Sequence, residues 1–541
     1  MATTDTTGSG EVTINSSLFM RKATGLVRGW SAVDGYIYAF YACNIVLGIL
    51  TLAYASFIPG GSLVWAIVIT VGFVLFECVV YAALTSAIPR AGGDYVWQTR
   101  IFSSPVGFVL AATGWWFILW HWIPIYANLS VISFVAPVLR IVGANGAVTW
   151  LATKNGVFIA SVVVIAITTV YVAAGMRGYA KFQRLTFTVG MVGISIAALI
   201  LLFTSHRSFV STFNHQAHNL YGLHGNTYAA TLKAGAGHYG SALSGSFGDT
   251  LRLIPFLLFW LLWPNWGATL AGEVRGARDF KKNTWAMSGA LLTSAAIGLV
   301  FVAAISRSMG WHFFMASSSA YYSGASPLGG DYMSPIAMGS WVLGSPVLEV
   351  ILLTAVFMLV LGWYGTVFLS STRMIFAAAF DRVLPERAAS VNEKTRVPNV
   401  ALALMVVPSI VVSALYAYWH SFATFTLDAT AVIAVTYLGS TLAAMVMPWR
   451  LKRVYESSPL AKYRIGRVPM ITVVAAVFAS FLILNLIWWL KDSIYGVNNT
   501  KSLIYMGILY AMAAVIWLVA WLVRRSQGLG LEAVAREIPV E

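Results

Sequence analysis

The stretch Trp263-Pro264-Asn265-Trp266-Gly267 lies in the middle of an apolar segment that runs from about residue 251 to residue 274. A segment of this length can cross a bilayer as a helix. Proline removes a backbone donor, and glycine beside a polar amide weakens the helix further. Because lipid offers freed backbone groups no partner, such a break is tolerated only where protein or a water-filled cavity satisfies it. The stretch therefore predicts a cavity at mid-membrane.

Composition places the rest of the chain in the membrane as well. Of 541 residues, 59% are hydrophobic and only 10% are charged, and the mean hydropathy is +0.77. Soluble domains carry about 25% charged residues. We therefore predict an all-α integral membrane protein with twelve transmembrane helices, the third long enough to be strongly tilted. The apolar stretches lie near residues 33–58, 63–88, 106–139, 156–175, 182–204, 252–273, 284–306, 346–370, 398–418, 422–447, 468–490 and 502–523.

Lysine and arginine residues are distributed unequally between the two sides of the membrane. With the N-terminus inside, 26 of the 34 lysines and arginines fall on the cytoplasmic side and eight fall outside. This bias predicts a multi-pass protein of the cytoplasmic membrane with both termini inside and with cytoplasmic tails over residues 1–30 and 524–541. The polar first 30 residues contain no visible signal peptide. The net charge of +15 thus reflects a lipid bilayer as partner and no nucleic acid.

Cysteine and histidine give little sign of metal chemistry. Cys43 and Cys78 fall inside apolar segments, where we expect small packing residues without a disulfide. The loop over residues 205–250 carries five of the eight histidines. A histidine-rich tract can bind metal, but the irregular spacing favours a solvated lid. We expect neither a metal site nor a cofactor.

The first apolar segment contains a counterpart of the opening stretch. Cys43-Asn44-Ile45-Val46-Leu47-Gly48 also places an asparagine and a glycine near mid-membrane. Inverted repeats of transporters place helix breaks at corresponding points, and substrate sites form there. Five segments separate the two starts, which predicts five-helix repeats over residues 31–204 and 251–447. The extracellular loop over residues 205–250 would join them, and residues 448–523 would add a cytoplasmic loop and two helices.

Four stretches then resemble one family. Pro89–Arg100 reads P-R-A-G-G-D-Y-V-W-Q-T-R and resembles the P-R-S-G-G-x-Y stretch of the amino acid–polyamine–organocation (APC) superfamily. Gly272–Arg275 is similar to the start of its G-E-V-K-N-P-x-R loop. Ser371–Pro385 resembles the run that ends its helix eight, and Thr395–Pro398 resembles its T-x-x-P. The four follow the family's order and spacing over roughly residues 25–450.

This resemblance implies a LeuT-like fold with broken helices 1 and 6, and secondary transport of amino acids or related amines. In that family the helix 1 break donates backbone N–H groups to the substrate carboxylate, which places Ile45 and Gly48 among the expected donors. The helix 6 break offers carbonyl oxygens to the ammonium. Half-helix dipoles explain both preferences. Symport with H⁺, symport with Na⁺ and exchange all remain open as the transport cycle.

The chain departs from the family at both breaks. The family's I-G-x-G-I-F reads Ile45–Leu50 here, so the Val46 side chain narrows the approach of a carboxylate. Asn44 can contact the substrate, or it can simply satisfy freed backbone groups. Asn265 stands where many members carry an acid, and a neutral amide favours a substrate without strong net positive charge.

Aromatic residues beside the second break are the gate candidates. Phe259 and Trp260 both match the family's aromatic gate, with one residue of ambiguity. An aromatic ring there can cap a substrate and attract an amine, although plain packing explains it equally well. Trp263 and Trp266 flank the break and can line the cavity instead.

Few residues are candidates for binding an ion that is coupled to transport. Leu185–Ile194 lacks the helix 5 lysine that proton-coupled members can carry. Glu77 and His121 are the remaining ionisable residues deep in the apolar segments, and an intramembrane acid is a functional candidate by default. Glu77 can instead be a neutral structural acid, and His121 a packing residue. Hydroxyls for a Na⁺ site are offered by Thr366, Ser370 and Ser371.

The family motifs also bring charge to the cytoplasmic side. The cations are Arg100, Arg275 and Arg373, and the acids Asp94, Glu273 and Asp381. We expect pairs among them to latch an inner gate, with interfacial anchoring as the alternative. An enzyme is disfavoured, since no phosphate loop, metal spacing or nucleophile with a placed base occurs. A channel or a nutrient-sensing receptor of the same fold is the other alternative. The sequence shows no large soluble domain that could relay a signal and no selectivity sequence of a channel.

Overall fold

A computed structural model describes residues 26, 28–235, 237–332, 334–419, 422 and 428–538. Within these residues, twelve helical spans are long and apolar enough to cross a membrane, which confirms the predicted number and the all-α class. We number them span 1 to span 12. They cover Ala32–Phe57, Leu63–Ala87, Ser104–Ile141, Lys154–Ala173, Gly175–Phe203, Phe247–Thr269, Phe280–Ser308, Pro346–Phe380, Asn399–Tyr418, Thr430–Arg450, Met470–Lys491 and Thr500–Ser526.

Shorter elements connect the spans. The connecting α-helices are Asp94–Ile101, Asn145–Leu151, His206–Tyr221, Thr227–Ala234, Trp311–Tyr322, Pro335–Ser340, Lys452–Ser457 and Leu531–Arg536. Short 3₁₀ turns occur at Trp341–Leu343, Glu386–Ala389 and Ser493–Tyr495. Two-residue strands at Arg464–Ile465 and Val468–Pro469 form an antiparallel hairpin before span 11. The loop over residues 205–250, expected to be a solvated lid, contains two of these helices, which bury Phe209, Phe213 and Tyr228 beneath them.

The connecting loops lie on two opposite faces of the bundle, and hydrogen bonds join loops of the same face. We call the face with the lysine- and arginine-rich loops the basic face. On the basic face, the chain before span 1 meets the loop after span 6, where Gly29 N–H donates to the Glu273 carbonyl at 3.1 Å. On the opposite face, Ser246 N–H donates to the Gly60 carbonyl at 2.8 Å. The basic face carries the loops predicted to be cytoplasmic, and the opposite face carries the loop over residues 205–250.

Three spans are not continuous α-helices. Span 1 consists of the half-helices Ala32–Cys43 and Ile45–Thr51 and a 3₁₀ turn, Leu52–Phe57. Span 6 consists of the α-helix Phe247–Leu261 and the 3₁₀ helix Pro264–Thr269. Span 3 has α-helices at Ser104–Ala112, Leu119–Ser130 and Ala136–Ile141, with π-helical turns at Thr113–Phe117 and Val131–Val135. Such turns are frequent at functional sites.

Several predicted boundaries differ from the structure; span 5, for example, begins at Gly175 rather than near residue 182. Span 8 was predicted to end at residue 370, but its helix continues to Phe380, because Arg373 in the added turns is buried in protein and paired with an acid. Span 10 was predicted from residue 422; the described part of its helix covers Asp428–Arg450, and residues 423–427 lie outside the described part, so its start stays a prediction. The polar residues after 370 ended the apolar pattern although the helix did not end there.

Burial shows which spans form the centre. In the most apolar window of span 1, 94% of the residues are buried, against 11% in span 12. Span 1 is therefore enclosed by other helices, and span 12 lies at the periphery. The first half of span 1 packs against the 3₁₀ helix of span 6 and against span 7. The two interrupted helices consequently meet inside the bundle.

Candidate functional site

The break in span 1 is centred on Asn44. Its backbone is left-handed, with φ 44°, a conformation that asparagine tolerates better than most residues. The Asn44 side-chain oxygen accepts a hydrogen bond from the Leu47 N–H at 3.2 Å. The first N–H groups of a helix have no partner within the helix, so those of Ile45 and Val46 point out of the half-helix start. Asn44 thus caps the second half-helix, and its contact with a substrate stays a prediction.

Gly48 and Trp260 form a close contact. The Gly48 N–H donates to the Asn44 carbonyl at 2.9 Å. A Cβ added at Gly48 would overlap the Trp260 indole ring, whose Nε1–H donates to Ser294 Oγ at 2.9 Å. Both the backbone donor of Gly48 and the ring of Trp260 are therefore engaged in this conformation. Position 48 requires glycine because the Trp260 ring occupies the space that a side chain would need.

Asn265 lies in the 3₁₀ helix of span 6 and is completely buried. Neither atom of its side-chain amide makes a hydrogen bond of normal geometry with the described residues, although the Tyr437 hydroxyl of span 10 lies close enough to interact. That hydroxyl accepts a bond from Trp266 Nε1 at 2.8 Å. A buried amide without a partner is unfavourable by about 1–3 kcal/mol. The second break therefore holds a buried amide that makes no hydrogen bond of normal geometry with the described residues.

An aromatic cluster surrounds the span 6 break. We define it as Trp122 and Tyr126 of span 3, Trp263 and Trp266 of span 6, and Trp363 of span 8. Trp122 stacks on Trp266 with ring centroids 5.6 Å apart and meets Trp263 edge-on at 5.0 Å. Tyr126 stacks on Trp363 at 3.7 Å. The cluster fills the space between spans 3, 6 and 8.

Phe259 differs from its neighbour Trp260. Its ring is partly exposed and lines a cavity of about 330 Å³ on the opposite face, together with Tyr54, Phe256 and Tyr322. The same ring lies 6.3 Å from that of Tyr126 in the aromatic cluster. Phe259 therefore adjoins both that cavity and the aromatic cluster, whereas Trp260 packs on Gly48, and the gate role stays a prediction for both.

Ser370 joins spans 1, 6 and 8. The hydroxyls of Tyr38 and Ser370 are 2.7 Å apart, and Thr269 Oγ1 donates to Ser370 Oγ at 3.1 Å. Thr366 Oγ1 donates to the Trp363 carbonyl at 2.7 Å. Of the three hydroxyls considered for Na⁺, only that of Ser371 is buried without a partner among the described residues. The Ser370 hydroxyl therefore joins three spans, and the Thr366 hydroxyl is bonded within its own helix.

Glu77 lies in the middle of span 2 and is completely buried. Neither of its carboxyl oxygens has a hydrogen-bond partner in the described part of the chain. The carboxyl is within electrostatic range of the Cys43 thiol, at the end of the first half-helix, and of the Tyr437 hydroxyl. Glu77 is therefore close to both helix breaks. An unpaired buried acid is a functional candidate in a membrane helix.

Asp94 begins the helix Asp94–Ile101 after span 2 and is completely buried. Its carboxylate accepts hydrogen bonds from the Tyr81 hydroxyl at 2.6 Å, the Ser440 hydroxyl at 2.5 Å and Trp115 Nε1 at 2.9 Å. Burial raises the pKa of Asp94 from 3.8 to about 6, against the opposing effect of these donors. Arg100, one of the three cations expected to pair with these acids, is bonded to Asp381 instead.

Two ion pairs lie buried at the basic face. Arg373 donates to Glu273 through Nε at 2.6 Å and through Nη2 at 2.9 Å. Arg100 donates to both oxygens of Asp381, from Nη2 at 2.8 Å. The pairs connect span 8 with the loop after span 6 and with the helix after span 2. Arg275, the third cation, donates instead to the Arg28 carbonyl at 3.2 Å.

His121 faces a different part of the bundle. Its Nδ1 lies 3.2 Å from the Phe117 carbonyl, and its Nε2 contacts the Tyr505 hydroxyl of span 12. Its ring stacks on Phe422 with centroids 5.4 Å apart. These contacts place His121 at the junction of spans 3 and 12, whereas Glu77 lies at the breaks.

Several residues at the breaks escaped sequence reasoning. Tyr437, Ser440, Trp115, Tyr126 and Trp363 come from spans 3, 8 and 10, and each is close to Asn265, to Asp94 or to the aromatic cluster. Their partners lie far along the chain; Ser440 and Asp94 are separated by 346 residues. The only local signal was the density of tryptophan around His121.

Comparison with known proteins agrees with this architecture. The sequence model of the family described as amino acid permease matches residues 35–514. No curated protein matches the chain. The matched region reaches into all twelve spans and includes both interrupted helices. It confirms the resemblance carried by the motifs near Pro89, Gly272 and Ser371, and the chain belongs to the amino acid permease family, a family of membrane transporters.

Proposed function

We propose that this protein is a secondary active transporter that moves amino acids or related amines across the cytoplasmic membrane by alternating access. Both termini and the basic face lie inside, and the two interrupted spans belong to inverted five-helix repeats. Substrate binds between the breaks at Asn44 and Asn265. The outer elements close over it, and the ion pairs at the basic face separate to release it.

One observation carries the proposal. Two interrupted helices meet inside the bundle, and the second break holds a buried Asn265 amide that makes no hydrogen bond of normal geometry with the described residues. The N–H groups of Ile45 and Val46 at the first break favour a carboxylate. The Asn265 amide and the Phe259 ring offer partners to the rest of the substrate. Such convergent polar groups within an apolar enclosure are typical of a small-molecule site.

The proposal is tested by reconstituting the protein into liposomes and measuring uptake of each standard amino acid and its decarboxylated amine, radiolabelled, one at a time. We expect uptake of at least one of them that an opposing pool inside the liposomes or a pH or Na⁺ gradient accelerates. Absence of uptake of every compound overturns the proposal. Uptake that neither an opposing pool nor a gradient alters indicates a channel and overturns the carrier mechanism.

A matched pair of glycine variants supplies the control. In Gly48→Ala the added Cβ overlaps the Trp260 indole beside the break, whereas Gly72→Ala in span 2 meets nothing within 4 Å. We expect Gly48→Ala to lower uptake at least tenfold, because the second half-helix and Trp260 must move apart, and Gly72→Ala to match wild type. Equal uptake in both variants would remove the first break from the transport site.

Asn265 provides a sharper test of the site. Asn265→Asp places an ionisable group where the neutral amide is buried, and we expect it to alter the pH dependence of transport or to favour substrates of higher positive charge. The measurement is uptake against pH for cationic and neutral amino acids. An unchanged profile in both respects removes Asn265 from the site. Glu77 and His121 remain the candidates for a coupling proton, and the location of Glu77 beside both breaks favours it.

A further inference from the structure

The chain after span 12 returns to the basic face of the bundle. We define residues 529–537 as the strap. The strap contains the helix Leu531–Arg536, which packs against the helix Asp94–Ile101 and against the first helix of span 3. Three apolar side chains of this short helix are only 2–4% exposed: Leu531, Val534 and Ala535. Because terminal segments are poorly ordered unless something ties them down, this burial indicates that the strap is docked.

The end of the strap is bonded to Arg100. Arg100 Nε donates to the Glu537 carbonyl at 3.3 Å, while the two Nη groups of the same guanidinium donate to Asp381. Arg100 is the cation of one of the two buried ion pairs, and its side chain is 1% exposed. One buried guanidinium therefore holds both the strap and the turn that follows span 8.

The start of the strap is tied to the other side of the same ion pair. At the end of span 12, Arg524 Nε donates to the Arg382 carbonyl at 3.0 Å, and Arg524 Nη1 lies 3.9 Å from Glu386 Oε1. Arg382 directly follows Asp381 in the turn after span 8. The strap thus bridges the two elements that the Arg100–Asp381 pair joins. Separating that pair requires at least one tie of the strap to break.

We propose that the strap is an autoinhibitory element of the transporter: while docked, it keeps the Arg100–Asp381 pair closed, and its detachment allows the basic face to open. The inference rests on the proposed function in one respect, since it takes opening of the basic face to be the step that releases substrate. Docking of the strap is a separate property and is measured separately. The segment that occupies this surface is the chain's own C-terminal part.

The strap can detach as a unit. A helix of six residues is not stable alone in water, because so few hydrogen bonds do not offset the cost of forming the first turn. The strap is therefore helical only while its apolar face is docked, so undocking and unfolding are one event. Its other face, with Glu532, Ala533 and Arg536, is exposed. Segments of such low local stability are the ones that move in regulation.

Docking is tested with a matched pair of variants in the full-length protein. Val534→Asp and Ala533→Asp each add one carboxylate to the same helix, but Val534 is buried and Ala533 is exposed. Hydrogen exchange of the protein in lipid nanodiscs reports on the strap, where the Ala533 and Val534 N–H groups donate to the Gly530 carbonyl. We expect protected strap amides in wild type and in Ala533→Asp, and at least tenfold faster exchange in Val534→Asp. Unprotected strap amides in wild type overturn docking.

Uptake into liposomes tests the inhibition. For the labelled amino acid that wild type takes up best, we expect Val534→Asp to raise the initial rate at least threefold, since conformational steps limit many turnover rates. Ala533→Asp should equal wild type. Deletion of residues 529–541 should raise the rate by a similar factor, and it keeps the test decisive if Val534→Asp does not fold. A strap that only stabilises the fold predicts rates at or below wild type after deletion, and that result overturns the proposal.

Exchange at the turn after span 8 separates this inference from the proposed function. In that turn the Arg382 N–H donates to the Ala379 carbonyl at 2.9 Å and the Val383 N–H donates to the Ala378 carbonyl at 3.0 Å. If no variant takes up any amino acid, the transport proposal fails and these two amides decide on the strap. At least threefold faster exchange after deletion of residues 529–541 than in Ala533→Asp supports a strap that holds the ion pair closed. Equal exchange overturns it.

Discussion

At the basic face the buried Arg373 and Arg100 each pair with a carboxylate, whereas at the helix breaks the buried Glu77 and Asn265 make no such pairs among the described residues. Arg373 and Arg100 are both embedded in protein, and each donates two hydrogen bonds to a carboxylate. Glu77 and Asn265 are buried to the same degree, yet neither makes a hydrogen bond of normal geometry within the described residues. Both regions lie in the interior of one bundle, so burial alone does not explain the difference.

The two regions differ in what their buried polar groups do: those at the basic face stabilise one helix arrangement, and those at the breaks can bind a partner. A buried ion pair is stable only while both partners stay in place, so it holds spans 6 and 8 and the helix after span 2 in one arrangement. A buried polar group without a partner raises the free energy of this arrangement, and a ligand or proton that supplies the partner removes that cost. We therefore propose that the basic face acts as a latch and that the breaks form the substrate site.

Removing one partner of a latch pair tests the comparison with the largest effect. We expect Arg373→Met to destabilise the protein by about 3–5 kcal/mol, because Glu273 is left as an uncompensated buried charge. The thermal midpoint in detergent should fall further than in any other single variant described below. The measurement is loss of monodisperse protein on heating.

A double variant serves as the control for that change. Arg373→Met with Glu273→Gln removes the orphaned charge, so most of the lost stability should return. If the single variant is as stable as wild type, the pair is not a latch. If the double variant is no better than the single one, packing of the arginine rather than its charge holds the helices.

Replacing the unpaired amide should have the opposite sign. Asn265→Leu has a similar volume and removes a donor and an acceptor that have no partner, so we expect it to stabilise the protein by about 1–2 kcal/mol. Uptake in liposomes should be lost at the same time, because the site is gone. A destabilised Asn265→Leu would show that the amide is satisfied in the folded protein and would remove the contrast between the regions.

The contrast could be anticipated from sequence only in part. Prolines, glycines and asparagines act on their own backbone, so the breaks at Asn44 and Asn265 and the twelve spans could be predicted locally. The pairing of the charges could not, since Arg100 and Asp381 are 281 residues apart and Arg373 and Glu273 are 100 apart. The same holds for Tyr437, which reaches the break from span 10. Side chains that meet across the bundle leave no local pattern.

The cap at the first break is expected to contribute less than the latch. Asn44→Ala loses the hydrogen bond to the Leu47 N–H and places alanine at φ 44°, and we expect a loss of about 1–2 kcal/mol. Asn44→Gly keeps the left-handed backbone without strain, and its loss of stability should be only about a few tenths of a kcal/mol. Thermal midpoints of both variants provide the measurement. Equal losses would mean that the Asn44 side chain, and not its backbone conformation, determines the break.

An exposed pair on the opposite face should matter least, and its contribution should depend on pH. Asp492 accepts the Ile494 N–H at 3.1 Å and a bond from Arg252 at 2.9 Å, and these partners lower the pKa of Asp492 below 3.8. Because the folded protein favours the ionised form, the gain is present above pH 3.8 and is lost as the pH falls through the lowered pKa. With Arg252 42% and Asp492 32% exposed, we expect Asp492→Asn to lose at most about 1 kcal/mol at neutral pH.

The pH dependence separates this pair from the buried ones. The thermal midpoints of wild type and Asp492→Asn should differ slightly at pH 7 and converge below pH 4, and added salt should shrink the difference at pH 7 because exposed charges are screened. The difference between Arg373→Met and wild type should survive the same salt, since its charges are shielded from solvent. Salt sensitivity of both, or of neither, would contradict the distinction between an exposed pair and a latch.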